Sequence, residues 1–183
     1  MRLLVLLLIL GIVGCSRTER LMPLDEGRTW TYSVRTGFDA AVESVKTVRP
    51  ISVAGASGVE LKGPLGVSRL AWKDGILYAS ETAGARFVPA LPLCVPAGKD
   101  VTYHGRMESS RGQVAASGTV SSAEGAIVKL GAREFRTLRT TVVLKAGEDG
   151  IELITWFAPD VGIVQQEQRT NTVLDAQLQL LVE

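Results

Sequence analysis

The chain has 183 residues, 46% of them apolar, with 20 basic and 19 acidic side chains and one histidine. A net charge of +1 without any basic run gives nucleic acid no electrostatic footing, so that partner is excluded. One histidine and two cysteines exclude His-rich zinc sites, and no metal is expected.

The first predicted element is a leader. Arg2 precedes the apolar run Leu3-Leu4-Val5-Leu6-Leu7-Leu8-Ile9-Leu10, and Gly11-Ile12-Val13-Gly14-Cys15-Ser16 follows. One positive charge, a short apolar stretch and small residues before a cysteine read as an export signal rather than part of a fold. The apolar segment 3–13 falls well short of the roughly 20 residues that a spanning helix needs. Ile12-Val13-Gly14-Cys15 resembles a bacterial lipobox. That resemblance implies a signal peptide over residues 1–14, cleaved so that Cys15 becomes the N-terminus and carries a thioether-linked diacylglycerol with palmitate-type chains. The covalent lipid is the sole cofactor expected. One acyl chain binds a bilayer marginally, at about 0.8 kcal/mol per buried methylene, whereas two or three anchor it stably. The expected address is the periplasmic side of a bacterial membrane. Ser16 in place of Asp resembles the outer-membrane sorting pattern of diderm bacteria.

Residues 15–20 form a short polar tether, and residues 21–183 read as a single β domain. Trp30, Tyr32 and Val34 alternate with polar residues, the period of a half-buried strand. Further strand-like runs cover 41–48, 51–54, 59–62, 67–72 and 76–79, with glycine-containing turns between them. Lys73-Asp74-Gly75 between Trp72 and Ile76 is a hairpin signal, because Asp-Gly readily supplies positive φ. Short helices over 38–46 or 81–87 are the competing reading, and β-branched Val42, Val45 and Val48 weigh against the first.

Residues 87–98 hold three of the seven prolines and are expected to be a connection, since proline donates nothing to a ladder. This connection separates two similar halves, 21–86 and 91–183. Pro23-Leu24 with Gly27-Arg28-Thr29-Trp30-Thr31-Tyr32 matches Pro92-Leu93 with Gly98-Lys99-Asp100-Val101-Thr102-Tyr103. Each half also closes on an apolar-Trp-turn-Gly-Ile pattern, at Trp72 and at Trp156. Later runs cover 113–120, 126–130, 135–144, 151–157 and 163–169. A last strand follows, with Leu174, Ala176, Leu178, Leu180 and Val182 on one face. The pattern predicts an all-β fold, a curved antiparallel sheet or open half-barrel, with a β-sandwich as the alternative.

Three segments carry a resemblance. They are the Pro-Leu-x-x-Gly-Arg-x-Trp-x-Tyr opening, Leu130-Gly131-Ala132-Arg133-Glu134-Phe135-Arg136-Thr137-Leu138, and Trp156-Phe157-Ala158-Pro159-Asp160-Val161-Gly162-Ile163-Val164. Together they resemble a broad group of bacterial envelope β-proteins, similar in architecture to the LolA/LolB lipoprotein carriers. The resemblance implies a curved antiparallel sheet around a hydrophobic groove. The chain departs from the pattern at Ala132-Arg133, where Ala-Gly is usual.

No catalytic constellation stands out. His104 has no sequence partner that would make it a general base, Cys94 sits in apolar surroundings that favour burial, and the carboxylates near Gly and Pro suit turns. The expected protein is a non-catalytic, membrane-anchored envelope lipoprotein that binds a lipid or other hydrophobic ligand. Trp30, Tyr32, Trp72 and Trp156 are the candidates to line its site. An interaction module that docks another envelope protein is the alternative, and a hydrolase ranks third. The sequence sets no oligomeric state.

Overall fold

The computed structural model describes residues 18–63 and 65–182; the leader and Cys15 lie outside them. A 3-10 turn over Glu19–Leu21 precedes twelve strands: β1 (Thr29–Thr36), β2 (Asp39–Val53), β3 (Ala56–Gly63), β4 (Gly66–Lys73), β5 (Ile76–Thr82) and β6 (Ala85–Cys94), then β7 (Asp100–Ser109), β8 (Gly112–Leu130), β9 (Arg133–Ala146), β10 (Asp149–Ala158), β11 (Gly162–Thr170) and β12 (Val173–Leu180). Each strand pairs antiparallel with its sequence neighbours, and β12 returns to β1. The expected curved antiparallel sheet forms and closes on itself as an up-and-down barrel. Closure removes the free edges that a half-barrel exposes.

Bulges explain why several strands read as fragments. The runs 41–48 and 51–54 are one strand, β2, whose pairing with β3 shifts between Thr47 and Arg49. Likewise 113–120 and 126–130 are both β8, interrupted by a shift between Glu124 and Ala126 around Gly125, whose φ is +93°. An extra residue resets the two-residue period, so each half of a bulged strand alternates by itself.

The proline-rich stretch differs from expectation, for β6 runs through Pro89 and Pro92. Its ladder is sparse, however. Pairing with β7 covers only Arg86, Phe87 and Val88, and pairing with β5 shifts register twice. The prolines fall where few donors are needed. Both segments that competed as helices, 38–46 and 81–87, lie mainly in strands.

The barrel is apolar inside and polar outside. Leu138, Val142, Leu144 and Ala146 of β9 are buried, whereas Arg139, Val143 and Lys145 between them are exposed. Exposed Thr102, His104, Arg106 and Glu108 line the outside of β7. A membrane-spanning barrel has the opposite polarity, with an apolar outer band. Across the outer face of β2 to β5 runs a charge ladder, Arg49–Glu60–Arg69–Glu81, with contacts of 2.8–2.9 Å. Its two arginines hold the Glu60 carboxyl below its ordinary range.

Twelve strands enclose more space than eight, whose interior side chains just fill the barrel. The half containing Trp30, Tyr32, Leu77 and Phe157 is filled by side chains around a small void of about 70 Å³. A second apolar cluster around Val128, Leu130, Ala158 and Val164 gathers Phe135, Trp156 and Leu180. The other half of the barrel is hollow.

Candidate functional site

The strand order gives the barrel two unlike ends. At one end, the chain's own N-terminal segment forms a strap that closes the floor. Leu21 and Met22 are buried there, and the Trp72 indole N–H donates to the Met22 carbonyl at 2.8 Å. The late Trp-Phe-Ala-Pro-Asp-Val-Gly-Ile segment forms the β10–β11 turn that receives this strap. Arg20 pairs with the Asp160 carboxylate, and the Asp160 amide donates to the Arg20 carbonyl at 2.7 Å. Arg28 reaches the Asp160 carbonyl, Trp30 donates to the Val161 carbonyl at 2.6 Å, and the Tyr32 hydroxyl donates to the Ile163 carbonyl at 3.0 Å. Two of the segments that carried the family resemblance therefore touch each other. Their shared task is closure.

At the other end the barrel is open. A cavity of about 790 Å³ lies among the turns that join β5–β6, β7–β8, β9–β10 and β11–β12. Its wall is apolar: Phe87 and Leu91 of β6, Val142 and Leu144 of β9, Ile151 and Leu153 of β10. Its rim is polar, with Arg111, Asp149, Asn171 and Asp175. The Arg111 guanidinium lies 3.7 Å from the Asp149 carboxylate, and the Asn171 amide donates to Asp149 at 3.0 Å. Thr170 donates to Asp175 at 2.5 Å. A smaller void of about 70 Å³ shares Thr82 and Ala83 with the cavity and continues inward past Leu61, Leu70 and Leu178.

A bulge shapes this rim. Gln168 pairs with Ala176 and Arg169 with Leu174, so Asp175 is the extra residue of β12. Above it the alternation reverses. Asp175 and Val173, the latter itself exposed at the rim, line the cavity, and Leu174, expected on the inner face with Ala176 and Leu178, is exposed and does not. The regular spacing of leucines masked the re-aimed carboxylate.

The predicted site residues sit elsewhere. Trp30 and Tyr32 belong to the packed core, and burial raises the Tyr32 hydroxyl above its ordinary range. Trp72 holds the strap, and Trp156 lies under the Arg139 guanidinium, 5.7 Å from its ring centroid. Tyr32 borders the smaller void, and the large cavity is lined by none of the four. The cavity walls are instead aliphatic residues of β9 and β10, which in sequence look like ordinary core positions. Cys94 is fully buried, and burial pushes its thiol up to about 12. His104 is exposed on the outer face of β7, paired with Ser117 and away from the cavity. Among the described residues, no three His, Cys, Asp or Glu side chains gather as metal ligands.

No protein-family model matches the chain, and no curated relative matches it. Two solved structures do. A candidate lipoprotein from Parabacteroides distasonis superposes with a TM-score of 0.51 at 14% identity, over 87% of this chain and 96% of that one. A candidate exported protein with a YmcC-like fold from Bacteroides fragilis gives 0.50 at 15% identity, with the same coverage. The likeness is one of fold. Both neighbours are matched over nearly their full length.

Proposed function

We propose that the chain is an exported envelope lipoprotein, anchored through a diacylglycerol on Cys15, which performs no chemistry and holds a lipid or other hydrophobic ligand in the mouth of its barrel. The observation that carries this reading is the open cavity of about 790 Å³ with aliphatic walls and a polar rim. Its size falls in the 300–1,000 Å³ range of small-molecule sites, and convergent polar groups at an apolar pocket are what such sites use for orientation. The lipobox resemblance supplies the anchor. The names of the two structural neighbours, one a candidate lipoprotein and one a candidate exported protein, agree with that address.

A second reading, docking of another envelope protein, draws on β2. Asp39–Val45 rises beyond the first β3 pair, Lys46 with Lys62, and Phe38 at its tip is fully exposed. Two carboxylates, Asp39 and Glu43, stand on that stretch, a device that discourages strand addition. The ligand reading therefore ranks first.

Two measurements test it. Cys15→Ser is expected to move the protein out of the membrane fraction, and unchanged retention would count against the anchor. Native mass spectrometry of the acylated protein, released from nanodiscs after purification from cells, is expected to show an additional small apolar mass. A bare chain in every preparation would sink the ligand reading.

A further inference from the structure

We infer that the occupant of the mouth is a single-chain amphiphile whose head carries an ammonium group, held with its tail inward and its head beside Asp149 and Asp175. The inference rests on the ligand-holding reading above and adds the chemical class. Two separate features carry it.

The first is the wall. Phe87 is its one aromatic side chain, and β9 and β10 present Val142, Leu144, Ile151 and Leu153. A sugar chain or peptide buried against these side chains would leave its own polar groups unpaired, at a desolvation cost that an aliphatic tail avoids. Phe87 alone offers a ring, so stacking adds little to recognition in this wall. An alkyl chain fits such a wall.

The second is the charge at the rim. The lining carries the Asp149 and Asp175 carboxylates against one guanidinium, that of Arg111. Arg111 is 85% exposed and already lies beside Asp149, so it offers little to an anionic head. The β12 bulge turns Asp175 inward, where Gln168 and Thr170 extend the polar side of the cavity. Carboxylates above low-dielectric walls concentrate cations and repel anions.

The closed floor fixes the direction of entry. Thr18 begins the strap at the packed end, and the three residues back to Cys15 reach at most about 10 Å. With the anchor proposed above on Cys15, the bilayer lies on the floor side and the amphiphile enters from the side that faces away from it.

The test uses the acylated protein in nanodiscs and two photoactivatable lysophospholipids with the same diazirine-bearing tail, one with an ethanolamine head and one with a glycerol head. Adducts are mapped by peptide mass spectrometry. The ethanolamine lipid is expected to label the Val142–Leu153 region roughly fivefold more than the glycerol lipid, the size expected for a partly exposed ion pair. The double variant Asp149→Asn, Asp175→Asn keeps the side-chain shapes and is expected to bring the ratio to about one. Arg111→Gln is expected to leave the preference in place or raise it. Equal or reversed labelling of the wild-type protein, or a preference that survives the double variant, would overturn the ammonium assignment while leaving the ligand reading standing. Absence of label in the mouth with either head would overturn both.

Discussion

Asp160 shows how one exposed residue ties the two ends of the chain together. Its side chain, amide and carbonyl all engage the N-terminal segment, and the Arg20 guanidinium holds its carboxyl below the ordinary 3.8. A depressed folded-state value means that the pair stabilises the fold above the ordinary value and loses its effect as pH falls through the depressed one. The protection factors of Leu21 and Met22, corrected for intrinsic exchange, are therefore expected to fall on acidification below pH 3.8, before the barrel strands open. Uniform loss of protection across all strands would show that the strap is not a separate unit. Cys94 is the opposite case, a thiol buried in the core beside the Thr140 hydroxyl. With its thiol fully buried and pushed up to about 12, it is expected to resist thiol reagents at pH 8 and to react fully in denaturant. Rapid labelling of the native protein would contradict its placement. The apolar neighbours of Cys94 made its burial readable in sequence. Nothing near Asp160 in sequence announced the role of its carboxylate, because Arg20 is so distant along the chain.

At the scale of elements, the β10–β11 turn and the strap form one unit. Gly162 has φ +103°, and a Cβ there would lie 3.1 Å from the Trp30 indole nitrogen and 3.3 Å from the Met22 sulfur. Backbone strain and contact with the buried strap act together at this position. Gly162→Ala is expected to lower stability by about 1–3 kcal/mol, read as an earlier urea midpoint. An unchanged midpoint would show that the strap yields without cost. The turn itself was legible, since Pro159 and Gly162 mark a ladder's end and re-entry. Its partner was not, because a contact between segments so far apart leaves no periodicity. Bulges were similarly hidden. The Gly125 bulge divided β8 into two apparent strands, and the Asp175 bulge made Leu174 look like part of the inner face. Each inserted residue shifts the alternation without changing composition.

For the molecule as a whole, the strand count and the closing order produce the mouth. Short glycine-punctuated runs made an all-β curved sheet readable; the pairing of β1 with β12 that closes it was not, because an open and a closed sheet share the same alternation. The matching segments of the two halves place Tyr32 and Tyr103 on β1 and β7, and Trp72 and Trp156 on β4 and β10, six strands apart in each pair. The aromatics suggested a ligand site in sequence because they are the largest apolar groups, yet large groups are what fill the floor of a twelve-stranded barrel. The hollow appears where side chains are smaller, at Ala85, Val142, Ala146 and Val173, and small residues give no positive signal in sequence. The central claim is that this hollow is a ligand site. Its most direct test is a titration of the mature, unacylated chain with a neutral apolar dye such as N-phenyl-1-naphthylamine, beside a variant in which Ala146→Trp fills the cavity. Saturable binding by the native barrel is expected, weakened about tenfold or more in the filled variant, as lost contact area in an apolar pocket requires. Absence of saturable binding, or equal binding by both proteins, would contradict the claim.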